Sequence, residues 1–319
     1  YYAEGGRNYL QILVQMVKAV FYLSPLLLTP LVLLSRETIQ RLRPFFLYII
    51  LGLVFYFGLF DFSRGALDKY LVYLVVPLVA IVGEVISRTM VNVSIRQIKI
   101  GLLIGGGLSA GLLALNFLPH EVFSLYPKTE WFSRVLAGRW LMLNPFTGGS
   151  GPLGFYVSFL FIVSSFILTF IFGLVGWLKK NWRQTAFIII LSIGMVYNFV
   201  FAEEFSFGRI NGNAPAVINQ AIDFIKQSPN IKSVITYNDI GAYKLNQIGK
   251  YAGRFYAAPQ FEESHKARFA KHNQESGYYL TVEIPLLYDG FYKEFFSRCQ
   301  NLWLGRSGVI PARIYKCQL

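Results

Sequence analysis

The sequence predicts a polytopic α-helical membrane protein with six spans, followed by a small α/β domain outside the cytoplasm. Long apolar runs fill the first 200 residues, the short loops on one side of them are basic, and past residue 201 the pattern changes to alternating strands and helices. The runs cover 10–34, 44–60, 70–86, 98–118, 153–178 and 184–201. A helix that crosses about 30 Å of hydrocarbon needs roughly 20 mainly apolar residues at 1.5 Å each. Of the 319 residues 54% are hydrophobic and 15% charged, whereas a soluble domain carries about 25% charged residues. That difference excludes an ordinary soluble fold. The net charge of +13 is not a nucleic-acid footprint, because the cations gather beside the spans.

Their placement orients the chain. Arg36, Arg41 and Arg43 follow the first run, Arg88, Arg96 and Lys99 the third, and Lys179, Lys180 and Arg183 the fifth, with Glu37 as the one acid among them. Cytoplasmic loops collect Lys and Arg, so these loops are predicted inside. The loops 61–69 and 119–152 mix signs and are predicted outside, as are residues 1–9 and everything after 201. The expected domains are a transmembrane domain, 1–201, with outer loops 61–69 and 119–152, and an extracytoplasmic α/β domain, 202–319. A chain that starts outside with Tyr1 and Tyr2 reads as the C-terminal part of a longer protein.

The run 10–34 is too long for one untilted span. Asn8, Gln11, Gln15, Lys18 and Tyr22 recur every three or four residues and share one helical face. The segment is expected to begin as an interfacial helix and enter the bilayer with bends near Pro25 and Pro30. Lys18 either snorkels to the headgroups or faces a cavity that holds an anion. At the cytoplasmic end of the third run, Glu84 precedes Arg88 by one turn, which predicts an ion pair. In the fourth run Gly101, Gly105, Gly107 and Gly111 predict close helix packing.

In the loop 119–152, residues 131–140 mix apolar and basic positions, including Arg134 and Arg139, and suit a helix at the membrane interface. Residues 144–152, rich in Gly and Pro, read as a turn back into the membrane. In the last third, Asn213 is a predicted N-cap for a helix over 214–227 whose apolar face is Ala216, Val217, Ile218, Ala221, Ile222 and Ile225. Strands are expected at 233–237, 254–258, 278–284 and 314–316, and helices at 238–245 and 288–299. Residues 259–276 read as an exposed loop or helix. Cys299 and Cys317 both lie outside, where a disulfide is chemically allowed, though spacing leaves the pairing open. His120, His265 and His272 form no recognisable metal-ligand spacing, and no serine-nucleophile signature is present.

Residues 62–78 set Ser63 and Arg64, then Lys69 and Tyr70, at the outer start of a run that contains Pro77. This stretch resembles a segment of the GT-C-type glycosyltransferases that use polyprenyl-phosphate sugars, the class of the lipid A aminoarabinose transferases and protein O-mannosyltransferases. It departs from them in having Asp68 where a proline is usual and in the later position of Pro77. Residues 234–245 also resemble the strand-turn-helix of the C-terminal outer domains in that class.

The resemblance implies transfer of a sugar from a polyprenyl-phosphate donor to a protein or glycolipid acceptor outside the cytoplasm, in the plasma (inner) membrane. It implies no cofactor beyond the lipid-linked substrate. The leaving phosphate gains charge in the transition state and needs fixed cations. Arg64 and Lys69 are placed for that, with Tyr70 as a hydrogen-bond donor and Arg134, Arg139 and Lys18 as further candidates. The family's catalytic aspartate lies in a first outer loop upstream of Tyr1, so no catalytic residue carries over, and the chain alone is expected to be inactive. The alternative is a noncatalytic envelope-assembly scaffold or a transporter with an outer binding domain. Apart from Lys18, no charge sits well inside a run, which argues against a transporter.

Overall fold

A computed structural model describes residues 9–59, 72–122, 128–146, 154–254, 276–282 and 291–317. The chain divides into two compact units, Tyr1–Leu115 with Leu160–Val200, and Asn116–Phe159 with Phe201–Leu319.

In the first unit the run 10–34 is not one helix. It forms α1 (Tyr9–Val20), α2 (Pro25–Leu28) and a 3₁₀ turn over Thr29–Leu33. Pro25 and Pro30 lack an N–H and each stands in the first turn of a new piece, where a donor is not needed. The Ser24 hydroxyl accepts from Leu26 N at 3.2 Å and fixes the break. After α3 (Arg36–Arg41), α4 (Arg43–Leu59) runs for 17 residues, about 25 Å of rise, up to the edge of the described residues. The remaining helices of this unit are α5 (Val75–Thr89), α6 (Ile95–Ala114), α8 (Phe159–Leu178) and α9 (Arg183–Ser206), with α7 (Lys128–Leu136) in the second unit. Four segments are long and apolar enough to cross a bilayer: Val72–Thr89, Ile95–Phe117, Phe159–Leu178 and Lys180–Ser206. The chain is a helical membrane protein, with four such helices among the described residues where the sequence predicts six spans.

The three basic loops meet at one end of this unit. Arg88 bonds Glu84 at 2.7 Å and Glu37 at 2.9 Å, and Arg41 bonds Glu84 at 3.0 Å. The expected Glu84–Arg88 pair is thus part of a network that ties α3 to α5. Gln97 donates to Gln184 at 2.7 Å, and Arg183 donates to the Leu33 carbonyl at 2.8 Å. The predicted glycine stripe of α6 splits in two. A Cβ at Gly101 would crowd Ile188, and one at Gly105 would stand 2.7 Å from Ser192 Oγ, so these two seat α6 on α9. Positions Gly107 and Gly111 face open space.

The second unit holds a five-stranded sheet in the order β4-β3-β5-β7-β6. Its strands are β3 (Val234–Thr236), β4 (Tyr251–Arg254), β5 (Tyr278–Val282), β6 (Gln300–Ser307) and β7 (Ile310–Lys316). β3 pairs in parallel with β4 and β5, and β7 runs antiparallel between β5 and β6. Helix α10 (Ala214–Gln227) buries Val217, Ile218, Ala221, Ile222 and Ile225 against the sheet core. It begins at the predicted cap, where Asn213 Oδ1 accepts from Ala216 N at 2.8 Å. Helix α11 (Asp239–Gln247) is likewise capped by Asn238. The second strand of the domain starts at Tyr251, three residues before the predicted start at Arg254, and the rest of the predicted strand, 255–258, lies outside the described residues. Helix α12 (Phe291–Ser297) leads to Cys299, which is disulfide-bonded to Cys317. The bridge ties the start of β6 to the end of β7.

The glycine geometry gives a paired test. Gly105→Val should destabilise the α6–α9 contact by about 1–3 kcal/mol, the usual cost of overpacking, whereas Gly107→Ala should be neutral or slightly stabilising. Thermal unfolding of the two variants in detergent checks this, and equal behaviour would place the seam elsewhere on α6.

Candidate functional site

The loop between α6 and α8, which the sequence reading placed outside, folds onto itself as a platform. β1 (Leu143–Phe146) pairs antiparallel with β2 (Phe155–Ser158), and all eight residues are buried. A third segment joins through Glu121, whose N–H donates to the Leu141 carbonyl at 2.9 Å and whose carbonyl accepts from Leu143 N at 3.0 Å. Phe159 N donates to the Met142 carbonyl at 2.9 Å. The predicted span 153–178 therefore starts at Phe159, because Phe155–Ser158 are used as a strand. Phe146 stacks on Phe155 at 5.3 Å and meets Phe201 edge-on at 4.9 Å, which seats the hairpin on the end of α9.

Helix α7 confirms a helix where an interfacial one was expected, shifted to Lys128–Leu136. Leu136, Trp140 and Leu141 are exposed just beyond or at its end, and Trp140 Nε1 donates to the Val135 carbonyl at 3.1 Å. An indole with its polar edge satisfied and its ring outward suits a bilayer interface. Arg134 bonds Glu121 at 3.0 Å and keeps only a fifth of its side chain exposed. Arg139 is exposed, with its backbone N–H donating to the Arg134 carbonyl at 3.0 Å.

Next to Glu121, His120 Nε2 stands 2.7 Å from Ser158 Oγ. The Leu118 carbonyl also bonds the ring, and burial outweighs it in holding the imidazole below its ordinary pKa. A carbonyl only accepts, so the neutral ring places its proton toward Leu118, and Nε2 accepts from the serine hydroxyl. The pairing has the distance of a Ser–His dyad. Ser158 is wholly buried, however, so the pair clasps the loop to the head of α8 and presents no open nucleophile. Two further polar atoms of the hairpin, Asn144 Oδ1 and the Tyr156 hydroxyl, are buried without a partner among the described residues. Burial pushes the Tyr156 phenol up.

The platform is held to the domain by residues 211–214. Asn211 donates through its backbone N and its Nδ2 to Glu204 Oε1 at 2.8 and 3.0 Å. Asn213 donates through Nδ2 to the Glu204 and Phe205 carbonyls and through its backbone N to Ser307 Oγ. Ala214 N donates to the Gly154 carbonyl at 2.7 Å. Gly212 has φ +100°, and a Cβ there would overlap the Ser307 carbonyl.

Of the residues expected to face a lipid phosphate, Arg64, Lys69 and Tyr70 lie outside the described residues. Lys18 sits in the last turn of α1. Arg134 and Arg139 are brought together on one corner of the platform, and Arg134 is already engaged by Glu121. The sequence reading missed the His120–Ser158 clasp, since its partners are 38 residues apart and nothing local marks them. Among the described residues no three His, Cys, Asp or Glu side chains are grouped to hold a metal ion. Comparison of the chain with protein families, curated proteins and solved structures finds no match.

The clasp has a pH signature. A folded-state pKa below the unfolded value near 6.5 means that folding favours neutral His120. Its contribution is complete above that pH and is lost as the pH falls through it. Thermal unfolding between pH 7.5 and 5 should show the wild type losing more stability than His120→Gln. Parallel losses in the two proteins would remove His120 as the titrating group.

Proposed function

We propose that the chain is the C-terminal part of an integral membrane glycosyltransferase that moves a sugar from a polyprenyl-phosphate donor to an acceptor outside the cytoplasm. The observation that carries this reading is the single compact unit formed by the outer loop and the C-terminal domain. An acceptor-side cover built on the same side as the interfacial cations is what transfer from a lipid-anchored donor requires. The donor's tail stays in the bilayer, its phosphate rests at the interface, and the acceptor arrives from the aqueous side. Arg134, oriented by Glu121, and exposed Arg139 stand on an interfacial helix and its following turn. Within the second unit they are the groups assigned to the phosphate. Guanidinium supplies a planar fork for its oxygens. The Cys299–Cys317 disulfide supports an oxidising, extracytoplasmic location for the domain.

The test uses the protein expressed from its complete gene, with a lipid-linked sugar donor. Arg134→Ala should lower the rate or donor affinity about tenfold to a hundredfold, the loss of one charge-assisted contact worth roughly 1.5–3 kcal/mol. Arg134→Lys should retain part of it. A pure, folded protein that transfers no sugar from any polyprenyl phosphate would leave the scaffold reading in place.

The orientation is checked separately. Both native cysteines are bonded, so single engineered cysteines report cleanly. In intact cells an impermeant maleimide should label Lys232→Cys and spare Asn181→Cys. The reverse pattern would invert the topology.

A further inference from the structure

We infer that the basic end of the first unit is a docking surface for the headgroups of anionic phospholipids. The inference begins with a sorting of its cations. Arg41 and Arg88 are consumed by Glu37 and Glu84, and Arg183 reaches the Leu33 carbonyl. Arg36, Arg43, Arg96, Lys99, Lys179 and Lys180 are exposed, and none of them forms an ion pair among the described residues. The contacts that join α3 to α5, and residues 91 and 97 to 184, gather these side chains at one end of the unit.

Their positions on the helices are informative. The N-terminus of a helix carries about half a positive charge, which favours acids in the first turn and disfavours cations. α4 begins with Arg43, α6 with Ile95 and Arg96, and α9 with Arg183, and none of the three has an acid in its first turn. Three long helices thus point their positive ends at the same side and add cations there. For the helices alone this arrangement is unfavourable. It becomes favourable when an external layer of negative charge covers it, and phosphate groups are well matched to helix N-termini and guanidinium forks.

The apolar surroundings point to a lipid source rather than a soluble anion. Trp177 is 61% exposed and Trp182 43% exposed, on either side of Lys179 and Lys180. Exposed Val91 and Ile95 flank the start of α6. Cations interleaved with outward tryptophan and aliphatic side chains match a leaflet boundary, where rings lie at headgroup depth and cations meet the lipid phosphates.

The full chain in neutral detergent is offered phosphatidylglycerol or phosphatidylcholine, and retained lipid is counted by native mass spectrometry alongside a thermal scan. The wild type should retain phosphatidylglycerol over phosphatidylcholine by about tenfold or more, with a matching rise in unfolding temperature that shrinks at high salt. Replacing Arg96 and Lys99 together by Gln should bring the preference close to unity, each charge being worth up to about fivefold, while Arg96→Lys with Lys99→Arg should keep it. If the Gln pair does not fold, Lys179→Gln with Lys180→Gln reads the same effect from residues outside the helix contacts. Equal retention of the two lipids by the wild type overturns the inference. So does an unchanged preference in the folded Gln variants, or a thermal shift reproduced by inorganic phosphate alone, which would mark a site for a soluble anion.

Discussion

The second unit depends on four consecutive residues, 211–214, that sit where α9 ends. Their backbone and side chains bond the last turn of α9, the start of β2, the first turn of α10 and the β6–β7 turn. The reason is physical. A helix leaves its last carbonyls without partners, and here the Glu204 and Phe205 carbonyls are answered by the Asn213 amide. Glu204 is fully buried, which is costly for a carboxylate unless donors surround it. Asn211 provides two of them on one oxygen. Because the segment is threaded between carbonyls, its backbone and that of the β6–β7 turn each have one point with no room for a side chain. Gly212 at φ +100° and Gly308 at φ +54° are the residues that allow the approach.

The first unit solves a different problem. In hydrocarbon an apolar surface gains little by meeting another apolar surface, so close packing and internal satisfaction of polar groups decide the structure. The buried hydroxyls of α8 and the half-buried one of α9 bond carbonyls of their own helix: Ser165 to Phe161, Thr169 to Ser165 and Ser192 to Ile188. This makes them acceptable neighbours for lipid or for another helix. Gly105 then lets Ser192 lie against the α6 backbone. The buried Tyr197 ring stacks on Phe161, and its hydroxyl donates to the Phe21 carbonyl. That carbonyl belongs to the break after α1, where helical bonding has ended. A side chain from a continuous helix thus satisfies a backbone group released by the broken one.

What was legible in the sequence follows from range. The α10 boundaries were readable because capping by Asn213 and the Pro229 stop are local signals. So were the breaks at Pro25 and Pro30 and the Glu84–Arg88 pair at one-turn spacing. Strand pairing is non-local, and there the reading slipped. Residues 144–146 contain Asn144 and Pro145 and look like a turn, yet with Leu143 they form a buried strand opposite Phe155–Ser158. Those partner residues are apolar enough to pass for the start of a span, since hydropathy does not distinguish a buried strand from lipid-facing helix. β6 was missed because it is an edge strand with mixed exposure and lacks clean alternation. Of the expected phosphate-facing residues, only Arg134 and Arg139 could be placed by side chain. The Glu121 partner of Arg134 was invisible because the helix between them had to form first.

The cations of the two units are handled in opposite ways, and this bears on how an outer phosphate would bind. In the second unit Arg134, Arg254, Arg298 and Lys226 each face a carboxylate, from Glu121, Asp239, Glu294 and Asp223. Exposed pairs of this kind contribute little to stability, but they cancel the long-range field of the surface. The basic end of the first unit leaves most of its cations uncancelled. Under the proposed function, a phosphate at the platform would meet Arg134 by exchange with Glu121 rather than by attraction to a bare charge. Exchange trades one charge-assisted bond for another, so the net gain comes from the extra charge and oxygens of the phosphate and from any further cation beside it. Such a site discriminates by geometry more than by charge. That would suit the proposed transferase, which has to hold a lipid donor in one register and release the lipid phosphate afterwards, whereas an uncancelled cationic surface would retain any anion that reached it.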